Sequence, residues 1–165
     1  MNKRIFLIAG TATIATAWLY NNLPQTQKAI AASNKDFEIK KTEEQWRKLL
    51  TPWQFCVLRQ RGTERSHSSP LDKQYDKGIY NCAGCDLPVF SSETKFDSGT
   101  GWPSFYAPIT GAVETSIDKS LLATRIEVHC RRCGGHLGHV FDDGPKPTGK
   151  RYCMNGVALK FIAGG

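Results

Sequence analysis

Apolar residues recur at helical spacing from Trp46 through Leu49, Leu50 and Trp53 to Val57, which predicts helical structure with one face against the body of the domain. The polar residues among them supply the starts. Thr42-Glu43-Glu44-Gln45 and Thr51-Pro52-Trp53-Gln54 both match a capping box, the second with Pro at the first helical position, where its missing N–H costs nothing. Arg61-Gly62-Thr63-Glu64 closes this region, and the polar residues 65–78 predict a loop. From Gly78 onward the pattern changes to short apolar runs broken by Gly, Pro and Asn. These predict strands over 79–81, 87–90, 113–117, 124–130 and 157–162. In the fourth run Ile126, Val128 and Cys130 alternate with Arg125, Glu127 and His129, the pattern of a strand with one dry and one wet face. No repeat of fixed period is present. The expected body is mainly β, with short helices at its N-terminal side.

The first thirty-one residues follow a different logic. Lys3-Arg4 precedes a mostly apolar run from Ile5 to Leu19, and Ala29-Ile30-Ala31 matches an A-x-A cleavage pattern. A run of about 15 apolar residues is short of the roughly 20 that cross a bilayer. A cleaved export signal is the leading expectation, with an uncleaved membrane anchor as its alternative. The domain plan is then signal or anchor over 1–31, linker over 32–41 and a folded domain over 42–163. Location follows from that plan: exported, or anchored and facing the same side, and cytoplasmic if the segment is not a working signal. Composition adds one exclusion. The net charge is +7, but Lys3, Arg4 and Lys28 lie in the leader, so the remainder of the chain carries +4. That surplus is spread along the chain rather than gathered into a stripe, which argues against a nucleic-acid partner.

The chemistry is in the cysteines. Cys82 and Cys85 flank Ala83-Gly84, and Cys130 and Cys133 flank Arg131-Arg132, so two Cys-x-x-Cys knuckles face each other across a 44-residue insert. A two-residue spacer lets a turn present two thiolates to one ion, and two such knuckles predict one closed, structural Zn²⁺ site. A disulfide framework is the rival in an exported chain. The separation is too long for a compact ribbon, so the ion is expected to staple two distant parts of a sheet.

Cys153, in Arg151-Tyr152-Cys153-Met154-Asn155, belongs to neither pair. An inert core thiol is one reading. A nucleophile is the other, since Arg151 favours a thiolate, Asn155 offers an amide, and His136 and His139 bring titratable groups if the fold gathers them. Trp102, in a Gly- and Pro-rich run, reads either as a core plug or as a ring held in a rigid loop to meet an apolar group. Asp142-Asp143-Gly144-Pro145 reads as a turn whose carboxylates either orient a histidine or face water.

Taken together, G-T-E at 62–64, K-F-D-S-G-T-G-W-P-S-F at 95–105, H-L-G-H-V-F-D-D-G-P at 136–145 and R-Y-C-M-N at 151–155, with the double knuckle, resemble the B-type methionine sulfoxide reductases. The likeness runs from about Glu43 to Ile162. It implies two antiparallel sheets in a tent-like arrangement and one structural zinc on Cys82, Cys85, Cys130 and Cys133. The implied substrate is the R epimer of methionine sulfoxide, chiefly in oxidised proteins. Cys153 would attack the sulfoxide sulfur and become a sulfenic acid. His139, with His136 and Asn155, would supply the proton. Trp102 would wall the substrate methyl, with Phe141, Arg151, Thr63 and Glu64 also on the substrate-binding side. A thioredoxin-like or other thiol reductant would restore the enzyme, which is expected to act as a monomer.

One departure stands out. Many members carry a second, resolving cysteine before the tryptophan, where this chain has Thr100. Cys56 is the remaining candidate, with a small core residue as its alternative reading. The rival to the enzyme is a zinc-stabilised basic binding module in which Cys153 is structural.

Overall fold

The structure, a computed structural model, describes residues 37–120 and 123–164. The expected signal or anchor over 1–31 lies outside the described residues. Among those described, no helix is long and apolar enough to cross a membrane.

Two short helices open the domain, α1 (Glu43–Leu49) and α2 (Pro52–Gln60). Both capping boxes form: the Thr42 and Thr51 side chains accept from the N–H of Gln45 and Gln54, and each glutamine side chain accepts from its cap's N–H in return. Two orphan donors per helix start are satisfied in this way. The helical stripe, however, is only partly as expected. Trp46, Leu50 and Val57 are buried with Phe55 and Leu58, whereas Leu49 and Trp53 are 61% and 65% exposed. Leu50 has an extended backbone (ψ 146°), and this break resets the phase between the helices. One continuous period across 46–57 therefore assigned those two residues to the wrong face. After the helices, the expected loop contains a 3-10 turn at Pro70–Lys73.

Among the described residues nine strands follow: β1 (Gly78–Cys82), β2 (Pro88–Ser91), β3 (Lys95–Phe96), β4 (Ser104–Phe105), β5 (Val113–Asp118), β6 (Arg125–Cys130), β7 (His136–Phe141), β8 (Arg151–Met154) and β9 (Leu159–Ala163). They form two antiparallel sheets, ordered β2-β1-β9 and β3-β4-β8-β7-β6-β5. The sheets meet through aromatic rings. Phe90 from the smaller sheet stacks on Phe105 from the larger at 4.4 Å, and Tyr80 meets Phe105 edge-on at 4.9 Å. All three are fully buried, so truncating one to Ala would cost about 3–5 kcal/mol.

β6 corrects the simple alternation. Glu127 and His129, expected on a wet face, are 2% and 5% exposed, while Ile126 is 39% exposed. The supposed wet face is covered: Arg61 at the end of α2 pairs with Glu127, and the Phe37 ring meets His129 edge-on.

The knuckles join the two sheets rather than two parts of one. Cys82 ends β1 and pairs with Leu159, whereas Cys130 ends β6 and pairs with Val113.

Candidate active site

The larger sheet sets Cys153 between two neighbours. On β8 it is register-paired with Ser104 of β4 on one side and His139 of β7 on the other. The close approach of β7 to β8 depends on Gly138, because a Cβ there would lie 2.1 Å from the Cys153 carbonyl oxygen. This explains the glycine inside His-Leu-Gly-His as packing. The half-buried thiol opens on a cavity of about 130 Å³ that is also lined by Thr63, Trp102, Arg125, His139, Phe141 and Asn155.

Three chain segments build that wall. The indole Nε1 of Trp102 donates to the Glu64 carbonyl at 3.1 Å, which fixes the ring of an otherwise half-exposed residue. Asn155 uses its amide to tie strands together: Oδ1 accepts from the Glu64 N–H at 2.9 Å and Nδ2 donates to the Leu137 carbonyl at 3.2 Å. Glu64 itself is buried, with its carboxylate accepting from the backbone N–H groups of Gly156 and Val157. It supports Trp102 and Asn155 and is not among the residues lining the cavity. Thr100 holds Ser98 at 2.8 Å through its hydroxyl, which also lies near enough to Cys153 to favour its thiolate.

Electrostatics around the sulfur are mixed. Burial pushes the Cys153 thiol above its ordinary value; the Arg151 charge and the Thr100 hydroxyl pull it down but do not win. Arg151 does favour the thiolate, as expected, but desolvation of the charged form outweighs that one neighbouring cation. Arg151 is itself engaged, with two hydrogen bonds to Asp143 at 2.9 and 2.8 Å and its guanidinium 4.4 Å over the Phe141 ring. The Asp142-Asp143 turn therefore neither orients a histidine nor only faces water. Asp142 pairs with Lys150 and Asp143 clamps Arg151.

His139 is lowered by burial, against an opposing pull from Asp118, whose Oδ2 lies 2.8 Å from His139 Nε2. His136 lies behind it, 2% exposed, with ring centroids 5.2 Å apart and Nδ1 2.9 Å from Glu127 Oε1. Burial would raise Glu127, but hydrogen bonds from His136 and Ser116 and the Arg61 charge bring it down to about 2. Asp118 and Glu127 are the residues that sequence reasoning missed. Their signal was weak: two acids at polar positions of strands ahead of the histidine run. Cys56 lies on α2, half-buried, with its sulfur against Gly62, where an added Cβ would lie 2.7 Å from Sγ.

The four knuckle sulfurs lie within 4.8 Å of one another. Cys82 and Cys133 are 3.8 Å apart, and Cys85 and Cys130 are 3.5 Å apart. Bonds of about 2.3 Å to one tetrahedral ion require S–S edges of roughly 3.8 Å, close to the two shortest edges of this cage, so the four cysteines could hold one metal ion. All six cysteines are free, so among the described residues the disulfide alternative is not realised.

A half-buried thiol that shares a cavity with a carboxylate-backed imidazole has the parts of a cysteine-nucleophile enzyme. Residues 50–163 match the SelR domain. The chain is 58% identical over 124 residues to a peptide methionine sulfoxide reductase of Methanosarcina barkeri, covering 74% of this chain and 87% of that protein. It is 53% identical over 127 residues to that of Leptospira interrogans, covering 76% and 97%. Against the chloroplastic B1 enzyme of Arabidopsis thaliana it is 54% identical over 123 residues, covering 74% and 61%. The chain belongs to the SelR-domain family of methionine sulfoxide reductases.

Proposed function

We propose that this protein reduces the R epimer of methionine sulfoxide in oxidised proteins, with Cys153 as nucleophile and the four knuckle cysteines holding one structural Zn²⁺. The observation that carries the reading is the placement of the Cys153 sulfur in one small cavity with the His139 imidazole and the Trp102 ring. A sulfoxide sulfur becomes electrophilic when its oxygen is protonated, so nucleophile and proton donor must reach the same S–O unit. Cys153 sulfur attacks the substrate sulfur as His139 protonates the oxygen. The adduct then collapses: the S–S and S–O bonds to the substrate sulfur break, the protonated oxygen bonds to Cys153, methionine leaves, and Cys153 becomes a sulfenic acid, a two-electron oxidation of the cysteine matched by the two-electron reduction of the sulfoxide. His136 and Asn155 support the oxygen side, while Trp102 walls the methyl group, with Phe141 and Thr63 on the cavity rim.

The bound Zn²⁺ supplies stability, since four thiolates leave it no open position. Thr100 occupies the segment before Trp102, so a thioredoxin-like dithiol reduces the sulfenic acid directly: the first thiol displaces water to form a mixed disulfide and the second releases Cys153. The N-terminal segment directs this activity to exported or membrane-associated proteins.

The test is a chiral assay on dabsylated methionine sulfoxide with dithiothreitol. Wild type should consume the R epimer, and Cys153→Ser should lose at least about 10³-fold. Activity on the S epimer alone, or activity surviving the substitution, would falsify the reading. Mass spectrometry of substrate-oxidised enzyme should show a Cys153 sulfenate and no Cys56–Cys153 bridge.

A further inference from the structure

Two buried carboxylates stand behind the two imidazoles, and the mechanism above gives them no task. Asp118, at the end of β5, is 6% exposed and has its Oδ2 2.8 Å from His139 Nε2. A carboxylate stays ionised in such a place only where donors surround it. Asp118 has them: the Ser120 N–H at 2.9 Å on Oδ1, and the Arg125 guanidinium at 2.7 Å on Oδ2 beside His139. Ser120 chiefly, then His139 and Arg125, hold it below the usual carboxylate range against the pull of burial.

An ionised carboxylate only accepts hydrogen bonds, so the His139 nitrogen facing it must carry the hydrogen. That assigns the neutral ring as the Nε2–H tautomer. Nδ1 is the nitrogen left bare, on a residue that lines the Cys153 cavity. The other groups around His139 are Arg125 and its register partner Glu127 on β6, His136 on its own strand, and its register partner Cys153 on β8. Among these, Asp118 is the acid in hydrogen-bond contact with the ring.

We propose that Asp118, itself braced by Arg125 and Ser120, is a positioning residue that holds His139 in the Nε2–H tautomer, aims Nδ1 at the sulfoxide oxygen, and stabilises the imidazolium that donates the proton. The proposal rests on the reading of His139 as the acid. Proton flow then balances simply. Nδ1 takes a proton from the Cys153 thiol or from solvent, delivers it to the departing oxygen, and returns to neutral, while Asp118 stays ionised throughout. His136 mirrors the arrangement with its nitrogens reversed: Nδ1 faces Glu127, and Nε2 is buried with no hydrogen-bond partner among the described residues.

The first measurement needs no variant: the ¹⁵N–¹H correlation of the imidazoles in the wild-type protein above pH 7. His139 should carry its hydrogen on Nε2, and an Nδ1–H tautomer overturns the proposal. The second is Asp118→Asn with peptide methionine sulfoxide. We expect kcat to fall by about 10²-fold with KM within about threefold, the alkaline limb of kcat to move to lower pH because the ring has lost its anion, and Asp118→Glu to recover part of the loss. A variant kcat within twofold of wild type, or a loss carried by KM alone, overturns it. His139→Asn separates the two claims. Full activity in that variant removes the acid assignment of the preceding section, and the catalytic half of this proposal with it, whereas an Nδ1–H tautomer in the wild type removes Asp118 alone.

Discussion

At the ends of β1 and β6 four thiols crowd within 4.8 Å of one another, whereas Cys153 stands on β8 with a hydroxyl, a guanidinium and an imidazole for company. Sulfur is the same element in both places, and the surroundings decide its chemistry. In the clasp each thiolate has three others nearby, a repulsion that one divalent cation resolves. At β8 a single sulfur opens on a cavity of about 130 Å³ shared with an imidazole and an indole. The clasp joins two sheets and the site occupies one of them, so stability and reactivity are separable in this fold.

Metal removal should break the comparison most severely. Denaturing chelation, or Cys130→Ser, takes away a link between the sheets and leaves buried thiols uncompensated. The loss is expected to exceed about 4 kcal/mol, or a drop of roughly 10 °C or more in melting temperature. Calorimetry on the metal-loaded and stripped protein checks it. Cys153→Ser should melt within about 2 °C of wild type, since it swaps one half-buried atom for a similar one.

The clasp was easy to read from sequence because its geometry is local: a two-residue spacer is itself the structural unit. The strands that carry the site were not. Residues 136–141 and 151–154 hold histidines, glycine, arginine and cysteine in place of an alternating apolar run, so no period marks them. They become strands because β8 and β7 lie inside the larger sheet and are paired on both edges. The five strands marked by short apolar runs were legible to within about two residues. Asp118 and Glu127 escaped notice for a related reason. An acid at a polar position of an amphipathic strand is indistinguishable from a solvated one until the fold puts a histidine behind it. Leu49 and Trp53 failed in the opposite sense, through a helix break that hydrophobic spacing does not register.

A smaller effect should sharpen the contrast at the substrate side. Trp102 is held by the Glu64 carbonyl and faces the cavity, so Trp102→Ala removes the wall while leaving the Cys153–His139 pairing in place. Because packing of one methyl is worth about 1–3 kcal/mol, kcat/KM for the R epimer should fall by roughly 10- to 200-fold. Unchanged discrimination between epimers in the chiral assay would remove the indole from selection. The clasp should not register this change, and the metal content of the variant should equal that of wild type.

The smallest expected effect concerns how the lone sulfur is ionised. Burial raises the Cys153 thiol, and Arg151 opposes it. The thiolate fraction at neutral pH is therefore low, and alkylation by iodoacetamide should accelerate as pH rises through and beyond the ordinary thiol range rather than plateau near pH 7. The sign for stability is the same. A thiol raised on folding favours the protein at pH below the unfolded thiol value, and that contribution is lost as pH climbs through the folded one. Arg151→Ala removes the opposing cation, so the limb should move further up, with labelling at pH 8 slower by roughly threefold or more. Arg151→Lys should fall between, because an ammonium keeps the charge but not the paired hydrogen bonds to Asp143 or the flat stacking on Phe141. If labelling of the alanine variant is faster than wild type, Arg151 acts on Cys153 mainly by shielding it from solvent rather than through its charge, and the electrostatic half of the comparison between the two sulfur environments fails.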